Sequence, residues 1–247
     1  MYKYINRYDI RYTDVDSYDT LKLSSILGLL QEASCKSADE LGFGYDVIMP
    51  QGIGFILSNW YIEMYRPVKL EEDLEIHTWP LVPKYVIFNR DFEIWSAGEK
   101  VGVATSRWCM IDLKSFTMLN MNKFFEGYDF SDYNSSRSVE FKAWKIPAVS
   151  VREPAYEKKV VFTDYDHYMH VNNTKYADFA MDCFTLEEMK GRFLSRMQIT
   201  YVKQCKMGET ISFYREDQPD GSAIIEGRVG DDMRVQLKLT LSPVPQK

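Results

Sequence analysis

The sequence predicts an α+β fold of two tandem units, each an antiparallel sheet wrapped around one long helix. Three observations carry this. The segment Thr13-Asp-Val-Asp-Ser-Tyr18 returns as Thr163-Asp-Tyr-Asp-His-Tyr168. Each copy is followed by apolar residues at helical spacing. Each helical stretch is followed by about four segments rich in β-branched and aromatic residues, separated by short polar turns. A sheet wrapped on a helix buries the helix stripe and one face of every strand, which neither element can do alone.

The elements follow in chain order. Leu23, Ile26, Leu27, Leu30, Ala33, Ser37, Ala38 and Leu41 define one apolar stripe, and Gly42 and Gly44 end the helix. Strands are expected over Ser58–Arg66, Leu74–Thr78, Tyr85–Ile94 and Lys100–Asp112. In the second unit Tyr176, Phe179, Ala180, Cys183 and Phe184 repeat the helical spacing, and Thr185 with Glu188 forms a capping box that opens a short helix. Its strands are expected over Ser195–Lys203, Thr210–Tyr214, Ser222–Val229 and Met233–Leu241, the last two joined at Gly230-Asp-Asp232. Thr13–Leu41 should superpose on Thr163–Leu186. The division is therefore 1–117, a linker over 118–158, and 159–247. The linker holds Ser131, Asn134, Ser135, Ser136, Pro147 and Pro154, yet Phe124, Phe125, Tyr128, Phe130, Phe141 and Trp144 make it too apolar for a free tether. It should pack across the surface.

Composition narrows the function classes. At 45% hydrophobic and 27% charged residues the 247-residue chain has the balance of a globular protein. A formal charge of −6 argues against general affinity for nucleic acid. No apolar run is long enough to span a bilayer, and the opening MYKYINRYDI lacks an apolar signal region. Cys35, Cys109, Cys183 and Cys205 show no paired framework, so reduced thiols in a cytoplasm are expected. Three histidines and four scattered cysteines offer no metal cluster, and no cofactor is implied.

The two copies differ at one informative point. Asp14 aligns with Asp164, Asp16 with Asp166 and Tyr18 with Tyr168, but His170 falls opposite Thr20. A duplicated chain in which one copy holds the reactive histidine is the simplest reading. The second copy reads on as Asp166-His-Tyr-Met-His170-Val-Asn-Asn173 and Lys175-Tyr176. This resembles the acyl-ACP thioesterase family, whose chains carry two hotdog domains and the pattern Asp-x-Asn-x-His-Val-Asn-Asn. The resemblance extends to Leu21-Lys-Leu-Ser-Ser-Ile-Leu27, Gln31-Glu-Ala33, Arg90-Asp-Phe92 and Ala104-Thr-Ser-Arg-Trp108 with Asp112. The family's Asp and His map to Asp166 and His170. Its Asn maps to Tyr168, a departure. A family acid after the helix maps to Gln204, a second departure, and Cys205 follows it as a cysteine does in some plant members.

The resemblance implies hydrolysis of fatty acyl chains from acyl carrier protein. Asp166 then acts as general base or attacks directly to form a mixed anhydride. His170 transfers a proton or polarises the thioester, an imidazole titrating near neutrality when unperturbed. Backbone N–H groups of Val171, Asn172 and Asn173, at the expected start of the second long helix, suit the oxygen that gains charge. Asn172 or Asn173 can also cap that helix. Against these stand plainer readings: a turn acid for Asp166, a structural contact for His170, an exposed inert His167, packing for Tyr168 and a small buried thiol for Cys205. Gln204 can orient water but cannot deprotonate it.

The N-terminal half is the expected host of the acyl chain, with Phe55, Ile56, Trp60, Met64, Trp79 and Trp95 for bulk. The acidic carrier would dock on Lys190, Arg192, Arg196, Lys203 and Lys206, a stretch without acids, or on Arg137, Lys142, Lys145, Arg152, Lys158 and Lys159. An acyl-CoA thioesterase, a non-catalytic acyl-binding module and a 3-hydroxyacyl dehydratase are the competing readings. The chain is expected to act as a monomer or homodimer.

Overall fold

The computed structural model describes residues 1–245. Strand β1 (Tyr4–Asp9) leads through a single 3-10 turn into α1 (Leu23–Glu40) and α2 (Tyr45–Ile48). Strands β2 (Ile53–Met64), β3 (Asp73–Pro80), β4 (Ile87–Ser96) and β5 (Glu99–Asp112) follow, then α3 (Met121–Phe124). The second half repeats the order with β6 (Tyr156–Lys159), a 3-10 turn, α4 (Lys175–Met181), α5 (Leu186–Met189), β7 (Arg192–Tyr201), β8 (Thr210–Asp217), β9 (Ser222–Val229) and β10 (Asp232–Pro243). Every strand expected from the sequence is present.

The strands form one sheet in the order β1-β3-β4-β5-β2-β7-β10-β9-β8-β6. Read inward from either edge the two halves have the same topology. The sequence predicts two sheets; the structure joins them edge to edge, β2 antiparallel to β7 from Asn59 opposite Thr200 to Glu63 opposite Arg196. An uncovered edge exposes a row of unpaired N–H and C=O groups, and this seam satisfies two edges at once. Side chains reinforce it: Asn59 Nδ2 donates to Thr200 Oγ1 at 2.8 Å, and Arg196 pairs with Glu63 at 3.1 Å.

Period-two alternation sends the apolar side chains of both halves to one face. There Leu27 and Leu30 of α1 share a continuous core with Trp60, Phe92, Met197 and Phe213. α1 and α4 pack on each other over this face. The segment after α3 crosses the opposite face, as its aromatic content implied. Arg137 pairs with the fully buried Asp91 at 2.8 Å, Phe141 stacks on Tyr61 at 3.9 Å, Gln198 Nε2 donates to the Trp144 carbonyl, and Val149 N–H donates to Glu226.

The second long helix is a correction. α1 runs for 18 residues, whereas its counterpart stops after 7 and restarts as α5. The Thr185–Glu188 capping box forms as expected and starts the new helix. Arg215, from β8, stitches the break: it donates to the Cys183 carbonyl at 3.0 Å, pairs with Glu188 at 2.7 Å and lies over the Phe184 ring.

Candidate active site

The repeated motif folds twice into the same loop. In the first copy Asp16 N–H donates to the Thr20 carbonyl at 2.8 Å and Lys22 N–H to the Asp14 carbonyl at 2.9 Å. In the second, Asp166 N–H donates to His170 at 2.9 Å and Asn172 N–H to Asp164 at 2.8 Å. Asp16 Oδ1 accepts Tyr18 N–H, and Asp166 Oδ1 accepts Tyr168 N–H. Asp19 and Met169 both sit at positive φ, near 60°. One oxygen of Asp166 is therefore occupied by a turn that the histidine-free copy also makes. Its other oxygen has no hydrogen bond among the described residues.

The turns between β2 and β3 and between β7 and β8 match as closely. Lys69 N–H donates to Glu72 and Lys206 N–H to Glu209, at 2.9 and 2.8 Å. Glu71 and Gly208 share positive φ. Val68 and Cys205 are 1% and 2% exposed. Pro67, Val68 and Lys69 are thus the counterparts of Gln204, Cys205 and Lys206.

The halves differ in how loop and turn meet. In the first, Leu21 N–H donates to the Val68 carbonyl at 2.9 Å, Leu70 N–H to Asp19 at 3.2 Å, and Thr20 N–H to Asp16 Oδ1 at 3.0 Å. Loop and turn are zipped. In the second half none of these counterpart bonds forms among the described residues. The β7–β8 turn instead bonds the chain after β6: Gly208 N–H donates to Val160 at 3.0 Å and Val160 N–H to Glu209 at 2.9 Å. The Cys205 carbonyl accepts Tyr165 Oη at 3.4 Å. Among the described residues no backbone bond joins His170–Val171 to Gln204–Lys206, an unbridged joint termed the slot; the N–H groups of His170 and Val171, spoken for in the first copy, have no partner among the described residues.

The expected site residues border this slot unequally. His170 is exposed and Val171 is buried, directly before the polar cap in which Asn172 Oδ1 accepts the Thr174 N–H and hydroxyl at 2.9 Å. α4 begins at Lys175, so Val171, Asn172 and Asn173 precede the helix rather than open it. The Asn173 carbonyl accepts Tyr201 Oη at 3.0 Å. Gln204 is exposed, with its carbonyl held by Arg234 at 2.8 Å. No direct hydrogen bond links the side chains of Asp166, His170 and Gln204 among the described residues.

Tyr168 packs on His167 and on Tyr45 of α2, at 3.8 and 5.4 Å between ring centres. Burial pushes its hydroxyl up to about 12, which suits packing better than proton donation. Burial likewise pushes the Cys205 thiol up, away from the thiolate a nucleophile needs. Tyr45 was missed from sequence. The Cys205 assignment is within reach of the sequence: laying the strand Ser58–Arg66 on the strand Ser195–Lys203 and reading two residues further sets Cys205 over Val68.

Beside Tyr45, a groove of about 420 Å³ is lined by Phe43, Val47, Ile48, Phe124, Phe125 and Tyr128. Trp60 and Met64 lie in the helix-side core. Trp79 and Trp95 do not: Trp79 Nε1 donates to the Ser136 carbonyl in the linker and Trp95 stacks on His77.

The five cations also separate. Lys190 and Arg192 stand at the start of β7, and Lys203 and Lys206 beyond its end, about 30 Å away at the rise of an extended strand. Arg196 is committed to Glu63 across the seam, and Lys203 pairs with Asp232 at 2.7 Å. Tyr18 Oη donates to the Leu186 carbonyl, which sets α5, the helix just before Lys190, against the copy that lacks histidine. Arg137 and Lys158, of the second candidate group, are held by Asp91 and Asp164.

Fold and slot together define a fused pair of helix-on-sheet units with one opened, histidine-bearing joint. The family model described as the acyl-ACP thioesterase N-terminal domain matches residues 1–125, and the model of the C-terminal domain matches residues 151–238. The chain belongs to the acyl-ACP thioesterase family. It is 23% identical over 230 residues to oleoyl-acyl carrier protein thioesterase 1, chloroplastic, of Arabidopsis thaliana, covering 84% of this chain and 62% of that protein. The chain thus spans under two thirds of the length of that relative. Its fold is that of an acyl-ACP thioesterase from Bacteroides thetaiotaomicron, with a TM-score of 0.89 at 20% identity, over 97% of this chain and 98% of the other. The 12:0-ACP thioesterase from Umbellularia californica gives a TM-score of 0.86 at 16% identity, over 98% and 97%.

Proposed function

We propose that this chain hydrolyses fatty acyl-ACP to free fatty acid and carrier thiol, in fatty acid biosynthesis in the cytoplasm. The observation that carries the reading is the open joint. Of two loops with one backbone design, only the histidine-bearing one is unzipped. A non-catalytic binding module has no need for that asymmetry. Family membership gives the opening its chemistry, and the four free thiols support a reducing compartment.

In the first half a carbonyl oxygen, that of Val68, occupies Leu21 N–H. The substrate's thioester carbonyl takes the same place on Val171 N–H, with His170 N–H beside it, so two preset donors meet the oxygen as it gains charge. The free oxygen of Asp166 takes a proton from water as the water oxygen bonds to the carbonyl carbon. Collapse breaks the C–S bond, and His170 delivers a proton to the departing sulfur. Gln204, across the slot, orients the water. The acyl chain runs toward the groove beside Tyr45. The carrier's acidic surface meets Lys159 and Lys203, three and four residues before the exposed Phe162 and Met207 in the chain.

The test is fatty acid release from a panel of acyl-ACPs and matched acyl-CoAs. Release from acyl-ACP, lost at least ~100-fold in His170→Ala, supports the reading. Release confined to acyl-CoA favours a CoA thioesterase, and binding without release favours a carrier of acyl chains. Single turnover in isotopically labelled water tests direct attack: label entering the Asp166 carboxylate means that water opened a mixed anhydride at the Asp166 carbonyl.

A further inference from the structure

The first half shows what the lysine of this turn does when loop and turn are joined. Lys69 Nζ donates to the Tyr18 carbonyl and to Thr20 Oγ1, each at 2.9 Å. Tyr18 and Thr20 are the counterparts of Tyr168 and His170. Lys69 and Thr20 are also paired as a β-bridge. Lys206, the counterpart of Lys69, is exposed, and its ammonium has no partner among the described residues. Its backbone is nevertheless fixed like that of Lys69, through Glu209.

We propose that Lys206 is a positioning residue for the reaction: with a thioester in the slot, its ammonium reaches across to the Tyr168 carbonyl and holds the loop that presents His170. The inference rests on the hydrolase reading above. The thioester fills the gap that the Val68 carbonyl fills in the first half, and a long flexible side chain spans what backbone can no longer close. Gly208 makes the adjustment easy. It holds φ of +83°, a region open to glycine at little cost, with nothing within 4 Å of where a Cβ would stand. The first half has Glu71 at that position, also at positive φ, where a side chain makes the turn harder to reset. The charge and the hydrogen bond together require Lys or Arg at 206; a docking cation would require charge alone.

Three measurements separate these roles. Lys206→Met should lower kcat by about tenfold, within the range for a misplaced catalytic group, with KM little changed. The loss should appear equally on acyl-ACP and on a short carrier-free acyl thioester, should not respond to salt, and should be largely recovered in Lys206→Arg. Thermal melting of Lys206→Met should match the wild type, whereas Lys69→Met should melt lower because that ammonium is already bonded. Reductive methylation read by mass spectrometry should label Lys206 in the free protein and spare it when a non-hydrolysable short acyl thioether is bound, with Lys190 labelled in both. A loss confined to KM for acyl-ACP and erased by salt would make Lys206 a docking residue and overturn the proposal. Unchanged kinetics, or labelling of Lys206 unaffected by the thioether, would overturn it as well. A wild-type chain that cleaves no acyl thioester would instead remove the hydrolase reading itself.

Discussion

Under the proposed mechanism Asp166 carries two burdens, of which its twin Asp16 has only one. Both carboxylates hold a turn through Oδ1, but only Asp166 stands beside a histidine. An amide oxygen accepts the same N–H. Asp166→Asn should therefore keep the melting temperature and lose at least ~100-fold in hydrolysis, while Asp16→Asn should leave both unchanged. A fall in melting temperature with activity retained would make Asp166 a turn residue alone. Cys205 is tested by the same comparison. Its counterpart is the buried Val68, so Cys205→Val and Cys205→Ala should both stay within about twofold of wild-type turnover, with the Ala variant destabilised by about 1 kcal/mol for a small deletion. A loss as deep as that of Asp166→Asn would restore the thiol to the mechanism.

At the level of elements, the broken helix has a checkable signature in acid. Arg215, together with the Thr185 backbone, holds the Glu188 carboxyl down at about 2, below its ordinary 4.5. A depressed carboxyl stabilises the fold fully above its unfolded value, and that contribution fades as pH falls toward the folded one. Glu188→Gln should melt below wild type at neutral pH, the gap should narrow below about pH 4.5, and it should vanish near pH 2. A gap constant across that range would mean the ion pair contributes nothing. The break also marks the limit of sequence reading. The Thr185–Glu188 box is local and was visible. The break after Met181 is bridged by Arg215, a residue of another element whose role no helical pattern encodes. The β2–β7 seam was hidden for a like reason, since edge pairing is made by backbone groups that every sequence carries. The strands, α1 and the twin loops were legible because alternation, stripe and motif are local. The slot was not, because an absent hydrogen bond leaves no residue to read.

Across the whole molecule, position along β7 decides which charges matter for a carrier arriving at the slot. Reversing Lys159 and Lys203 to Glu together should raise KM for acyl-ACP, mostly at low salt, and leave a carrier-free thioester unaffected. Reversing Lys190 and Arg192 should change neither, because they lie at the opposite end of the strand. An equal rise from both pairs would mean that net charge, not location, governs the encounter. The seam has a consequence of another kind. Two separate chains paired edge to edge would be identical, and any substitution would strike both copies at once. Covalent fusion lifts that constraint: Thr20 and His170, or Pro67 and Gln204, are free to follow separate histories. On the proposed function, one half of a symmetric pair is then free to leave the chemistry and take shape around a lipid tail while its twin goes on reacting.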